Sequence, residues 1–327
     1  MATHRVALPS GEEFSVAPGE RILAAARRAG VWLPFECGWG SCGTCKATLV
    51  EGEVELLFPE APAIKPRDAR RRRILTCQTT PITDVVLKPT TVSSSPPEPL
   101  AVEDRVGTVV ANLDLGPGLR RLEVELDRPV RYRAGQYAIV EPAPGLRRCY
   151  SMATPPGSGV AEIAFVYRRY PGRPGSSALW ALRPGDPLPL ELPYGAMWIR
   201  DDEPTGVVLV AGGTGVSPIL AMVGDLAARG VTGTVHVVYG ARRVEELVCA
   251  DDLVEGLAAL PRGRITLVVE DPPPGWSGPV GTVVDALEPD PDLRYYVAGP
   301  PPMVDAVLAH LDDGGVGLDR IAYDSFG

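Results

Sequence analysis

Four cysteines constrain this chain more tightly than any other residues. Cys37, Cys42 and Cys45 stand in the run Cys-Gly-Trp-Gly-Ser-Cys-Gly-Thr-Cys, and Cys77 follows farther along. Three thiols on one short glycine-rich loop plus a distant fourth is the ligand spacing of a [2Fe-2S] cluster, which takes electrons one at a time. Gly38, Gly40 and Gly43 permit the close backbone approach that turns N–H groups towards sulfur. Zinc would favour paired Cys-x2-Cys units or a histidine ligand, and His4, His236 and His310 lie far from the loop in sequence. Cys42-Gly-Thr-Cys45 alone matches a thioredoxin-like redox pair, but that reading leaves Cys37 and Cys77 idle. A zinc or redox-sensing module without turnover is the competing class, and a colourless purified protein would identify it. Cys149 and Cys249 read as buried, inert thiols.

A chain of 327 residues accommodates two or three domains. A formal charge of −9 argues against nucleic acid as a partner, because phosphate binding depends on an excess of Lys and Arg. The amino terminus runs directly into an alternating strand with no signal-peptide pattern. No apolar run approaches the roughly 18 residues of a membrane span. A cytoplasmic location is expected, where six cysteines point to metal or redox use rather than disulfides.

Residues 4–16 alternate around Ser10-Gly11 as a hairpin, and Glu20 to Ala29 reads as an amphipathic helix stopped by Gly30. Strands are expected at Lys46–Val50, Ile74–Cys77 and Val85–Leu87. This order resembles the β-grasp fold of plant-type ferredoxins over residues 1–90. The aperiodic, proline-containing stretch Thr90–Pro99 marks a linker, taken as 91–101. Arg67 to Arg73 holds five arginines in seven residues and reads as a solvated turn rather than a docking patch.

Between 102 and 202 short strands without intervening helices predict an antiparallel barrel: Val106–Leu113, Leu119–Leu126, Gln136–Val140, Arg148–Met152 and Ala161–Tyr167. The run Arg148-Cys149-Tyr150-Ser151 resembles the Arg-x-Tyr-Ser motif of the ferredoxin reductase flavin domain. That resemblance implies that Arg148 pairs with a flavin phosphate, Tyr150 lies against the isoalloxazine and Ser151 bonds near its N5. An arginine fork, a flat amphipathic ring and a small hydroxyl suit those roles chemically. Val166 and Arg168 on the next strand, and Gly175, Ser176 and Ser177 at a glycine-rich turn, resemble the second flavin segment. Arg173 stands where the family usually has glycine.

From 203 to 327 continuous apolar strands alternate with helices, the pattern of a doubly wound parallel sheet: Val207–Ala211, Val235–Tyr239, Ile265–Val269 and Arg294–Ala298, with helices at Ile219–Ala228 and Met303–Leu311. The first strand ends in Gly212-Gly213-Thr214-Gly215-Val216-Ser217-Pro218, which departs from the dinucleotide fingerprint by ending in proline. Ser217 as N-cap and Pro218 in the first turn would still present free N–H groups to a pyrophosphate. A second loop, Gly299-Pro300-Pro301-Pro302-Met303, is similar to the Cys-Gly-Pro-x-x-Met segment of the same superfamily, with Ala298 in place of Cys. Glu270-Asp271 after the third strand favours NADH over NADPH, while Arg242 keeps NADPH open. Phe326 resembles the carboxyl-terminal aromatic that covers the flavin.

The whole order, multidomain α+β and α/β, resembles the reductase components of multicomponent oxygenases. It implies FAD, a [2Fe-2S] cluster and NADH as cofactors, an oxygenase or hydroxylase component as protein acceptor, and a chain monomeric by itself. A monooxygenase partner is expected over a Rieske dioxygenase; a reductase serving a deoxysugar-forming dehydratase is the alternative.

Overall fold

The structure, a computed structural model, describes residues 3–92, 100–201 and 206–326. It forms two compact units, Met1–Val102 with Arg147–Cys149, and Glu103–Leu146 with Tyr150–Gly327.

In the first unit the hairpin is β1 (His4–Ala7) and β2 (Glu13–Val16), paired antiparallel. Helix α1 (Ile22–Arg28) buries Ile22, Leu23, Ala25 and Ala26. It stops where Gly30 takes φ of 75°, a left-handed turn that glycine adopts without a Cβ clash. β3 (Lys46–Glu51), β4 (Val54–Leu56), α2 (Pro66–Arg70), β5 (Arg73–Leu75), β6 (Thr79–Pro81) and β7 (Val85–Pro89) complete the unit. The main sheet runs β2-β1-β7-β3-β5, with β4 and β6 as a separate pair. This is the β-grasp arrangement, one helix packed on a mixed sheet. Thr76 and Cys77 are not in a strand as expected: they form a 3-10 turn over Thr76–Gln78. The Thr76 amide and hydroxyl both donate to the Cys45 carbonyl, which bends the chain towards the cysteine loop.

The second unit contains an antiparallel sheet and a parallel one. The first consists of β8 (Glu103–Gly116), β9 (Leu119–Val130), β10 (Tyr137–Ala143), β11 (Leu146–Ser151), β12 (Val160–Arg168), the helix α3 (Pro174–Ala181), and β13 (Pro187–Tyr194). Its order is β11-β10-β13-β8-β9-β12. A bridge from Met152 to Phe165 and the Ala153 N–H donating to Ala164 O bring the end of β11 onto β12, which curls the sheet into a barrel. β13 was not expected from the sequence; Leu188, Leu190 and Leu192 alternate inward while Pro187 and Pro189 face out.

The parallel sheet consists of β14 (Gly206–Gly212), β15 (Thr234–Ala241), β16 (Gly263–Val269), β17 (Arg294–Gly299) and β18 (Ile321–Ser325), in the order β16-β15-β14-β17-β18. Helices α4 (Val216–Ala228), α5 (Ala250–Ala258) and α6 (Pro301–Asp313) accompany it. Strand order reverses between β14 and β17, and there the backbones crowd: a Cβ on Gly215 would collide with the Ala298 carbonyl. Ile219, Met222, Val223 and Leu226 give α4 a continuous buried stripe in one core with Leu119, Val166 and Met197 of the barrel and Leu209 and Val237 of the sheet. Among the described residues no helix is long and apolar enough to cross a membrane.

Two outcomes follow from this packing. Gly215→Ala forces β14 and β17 apart, so thermal melts should show a loss of about 1–3 kcal/mol. His236 is buried on β15, its Nε2 2.9 Å from Thr266 Oγ1, and burial, then Arg264, pushes its pKa down to about 4. The unfolded imidazole takes its proton near 6.5, so the folded state loses stability as pH falls from about 6.5 towards 4. Melting temperature should fall less steeply across that window in His236→Gln than in wild type.

Candidate functional site

The cysteine loop is built by glycine. Gly38, Gly40 and Gly43 have φ of 65°, 102° and 80°, and the chain between them coils so that its amides face sulfur. Ser41 N–H and Cys42 N–H donate to Cys37 Sγ at 3.3 and 3.4 Å, and Thr44 N–H donates to Cys42 Sγ at 3.4 Å. The Gln78 amide donates to Gly38 O at 3.2 Å and ties the loop to the turn that carries Cys77. Cys45 and Cys77 are buried, Cys37 is half-buried and Cys42 is exposed.

The four sulfurs stand two and two. Cys45 Sγ and Cys77 Sγ lie 3.2 Å apart, and Cys37 is hydrogen-bonded to Cys42. Within each pair one thiol is pushed down and the other up by the shared hydrogen bond, Cys42 to about 5 and Cys45 likewise downward, with Cys37 and Cys77 upward. Among the described residues no three Cys, His, Asp or Glu side chains form a group for a single ion. Two thiolate pairs with amides aimed at sulfur fit a two-iron cluster. Cys149 and Cys249, expected to be buried, are half-buried; burial pushes Cys249 up to about 11.

A cavity of about 430 Å³ opens at the carboxyl ends of β14 and β17, where open α/β sheets bind ligands. Of the residues singled out in the sequence it gathers Arg168, Gly213, Thr214, Arg242, Glu270, Pro300, Met303 and Phe326. Phe326 is carried there by β18, and its N–H donates to Gly299 O at 3.0 Å. Gly215, Ser217, Pro218, Asp271 and Gly299 do not line it. Ser217 does not cap α4: Gly215 occupies that position after a 3-10 turn, so the helix begins at Val216. The Ser217 hydroxyl instead donates to Ser151 O at 2.7 Å and accepts from Val166 N–H at 3.1 Å, joining sheet to barrel. Asp271 N–H donates to Arg242 O at 2.8 Å, which holds the two loops together.

On the barrel Arg148, Cys149 and Tyr150 lie half-buried on β11. Tyr150 meets Tyr167 edge-on at 6.0 Å, Tyr167 meets Trp180 at 6.3 Å, and the Arg120 guanidinium covers Trp180 at 3.7 Å. The result is a continuous aromatic wall beside α3. Ser176 is spent inside its own turn, accepting from Tyr170 N–H at 3.0 Å, whereas Ser177 in the first turn of α3 is half-buried.

Three residues here escape sequence reasoning. Asp324 on β18 reaches the Ser151 hydroxyl at 3.3 Å. Glu246, nearly buried in the cavity wall, pairs with Arg168 at 2.9 Å. Tyr239 directs its hydroxyl at three carbonyls, those of Gly213, Glu246 and Val248, at 3.2–3.3 Å. Glu246 lies in the mixed-charge stretch Arg242-Arg243-Val244-Glu245-Glu246, and nothing local marks it or Asp324.

Residues 6–81 match the 2Fe-2S iron-sulfur cluster binding domain, and residues 209–309 match the oxidoreductase NAD-binding domain. The chain is 35% identical over 318 residues to the reductase component DmpP of phenol 2-monooxygenase from Pseudomonas sp. (strain CF600), covering 94% of this chain and 89% of that one. It is 35% identical over 332 residues to the ferredoxin–NAD(+) reductase component of the alkene monooxygenase system of Xanthobacter autotrophicus (strain ATCC BAA-1158 / Py2), covering 98% and 99%. The chain belongs to the reductase components of multicomponent oxygenases. Its fold superposes on the ferredoxin reductase in carbazole 1,9a-dioxygenase with a TM-score of 0.87 at 28% identity, over 100% of this chain and 99% of that one. A member of this family is an NAD-dependent oxidoreductase with a [2Fe-2S] domain and a flavin-binding reductase fold.

Ser217→Ala leaves the Ser151 carbonyl and Val166 amide unpaired in a buried place, at a cost of about 1–3 kcal/mol. The melting transition of the second unit should fall by several degrees while the absorption of the iron-sulfur domain is retained.

Proposed function

We propose that this chain is the NADH-dependent electron-transfer reductase of a monooxygenase. The observation that carries the reading is one chain holding two thiol pairs and a cavity of about 430 Å³ at the strand-order reversal. The monooxygenase assignment rests on sequence identity: the two relatives at 35% are reductase components of monooxygenase systems, against 31% for reductase components 1 and 2 of terephthalate 1,2-dioxygenase and 28% for the ferredoxin reductase in carbazole 1,9a-dioxygenase. In this reading residues 1–90 form the cluster domain, 91–101 the linker, 102–202 the flavin domain and 203–327 the nicotinamide domain. Residues 93–99 and 202–205 lie outside those described.

Bound FAD supplies hydride acceptance and release of single electrons, and the [2Fe-2S] cluster supplies one-electron delivery. The chain's residues bind and orient. Cys37, Cys42, Cys45 and Cys77 would hold the two irons. Arg148 and the first turn of α3, with Gly175 and Ser177, take flavin phosphate, and Tyr150, Cys149 and Val166 border the flavin. Ser151 presents its hydroxyl at the flavin ring, oriented by Asp324, and Phe326 excludes water from that face. Gly213, Thr214 and Pro300 receive the dinucleotide, with Met303 packed beneath. Glu270 discourages a 2′-phosphate at the ribose, while Arg242 binds the adenosine side. Hydride transfer needs no protein acid or base, so Ala298 in place of a thiol leaves that step intact while removing any polar contact a thiol would make near the nicotinamide.

Cys42→Ser separates the stations. NADH oxidation with ferricyanide should persist near the wild-type rate, while NADH-driven reduction of cytochrome c, a one-electron protein acceptor, should drop to background. Parallel loss of both activities would contradict the proposed order.

A further inference from the structure

Lys46 follows the last cysteine of the loop, and its N–H donates to Gly43 O at 3.2 Å. The chain therefore doubles back and lays the side chain along the loop. A Cβ built on Gly43 would stand 3.2 Å from Lys46 Cε and 3.5 Å from Nζ. The lysine side chain is only 25% exposed, so its charge rests against Gly43, the residue between Cys42 and Cys45 in the sequence, with much of its water removed. Such a place is costly for an ammonium unless an anion meets it.

That anion is Asp68 on α2. Its side chain is 3% exposed and its Oδ2 accepts from Lys46 Nζ at 3.0 Å and from Lys65 N–H at 3.1 Å. Its Oδ1 accepts from Arg73 at 3.4 Å. Proline at the start of α2 fixes the turn that presents the carboxylate. Around Asp68 the balance is two cations to one anion, with Lys46 against the Gly43 turn and Arg73 the more exposed one, 42%. The buried Arg147, whose charge acts on Cys77, is a further cation at the site and stays the same in every variant below. Glu36, on the other side, bonds the Thr44 hydroxyl at 3.1 Å and is exposed, so water screens it.

We propose that Lys46 is a potential-setting residue for the four-cysteine site, held in place by Asp68. The inference rests on reading that site as a [2Fe-2S] centre. Reduction there adds one electron, ultimately from NADH, and takes up no proton by way of Lys46. A fixed cation beside the loop lowers the energy of the reduced form more than that of the oxidised form. Asp68 acts in the opposite sense on the potential while fixing where the cation sits.

The test is an EPR-monitored redox titration of the full-length protein and three variants. Lys46→Met should titrate at a more negative midpoint than wild type, Lys46→Arg at the wild-type midpoint, and Asp68→Asn, which keeps an oxygen acceptor for Lys46, at a more positive one. A structural disturbance of the loop would move Lys46→Met and Asp68→Asn in the same direction, which overturns the proposal, as does an unchanged midpoint in Lys46→Met. If Lys46→Met holds no cluster, Asp68→Asn decides: a positive shift supports the proposal and none, or a negative one, overturns it. A wild-type protein without the EPR signal of a reduced [2Fe-2S] cluster would instead contradict the assignment of the cysteine loop itself.

Discussion

A nicotinamide gives up its electrons as a pair, and a centre held by four thiolates takes them singly. That mismatch is the constraint on which this chain is built. It requires a dinucleotide site, a carrier able to accept two electrons and release them one by one, and a thiolate site. In the proposed reading the thiol pairs and the cavity are the two ends of that requirement, and the flavin-type barrel supplies what must stand between them in redox order.

At each end geometry comes from backbone that only small residues allow. In the loop Gly43 turns through a left-handed conformation and leaves room for Lys46 to fold back. At the strand-order reversal Gly215 lets the β14 turn press on the Ala298 carbonyl, so the two loops share one crevice. Side chains then join the pieces: Ser217 spans sheet and barrel, and the Tyr239 hydroxyl gathers the Gly213 turn and the 246–248 segment. Neither hydroxyl has a donor hydrogen left for a ligand. Their work is to keep the ligand-facing backbone still.

The parts legible in the sequence are those where spacing is chemistry. The cysteine interval, the Arg148–Ser151 run and the two glycine-containing βα turns each carry local information, and apolar runs mark β14 to β17. Legibility failed where tertiary context decides. β13 is hidden by Pro187, Pro189 and Pro193, which argue against a strand until its leucines are seen to alternate inward. β18 is short and half-exposed, so its apolar pattern is weak. Ser217 has the sequence signature of a cap, yet a preceding 3-10 turn moves the helix start and frees its hydroxyl for the barrel. Asp324 and Glu246 become functional candidates only through partners on distant strands, Ser151 and Arg168.

The central claim is that electrons enter in pairs at the cavity and leave singly at the thiolates. Anaerobic titration of the purified holoprotein with NADH, followed by absorbance and EPR, measures it most directly. The account predicts uptake of about three electrons per chain, two on the flavin and one on the iron-sulfur centre. The EPR signal of the reduced cluster should grow as the oxidised-flavin absorbance bleaches. Uptake that stops at about two electrons, with no iron-sulfur signal, would contradict it.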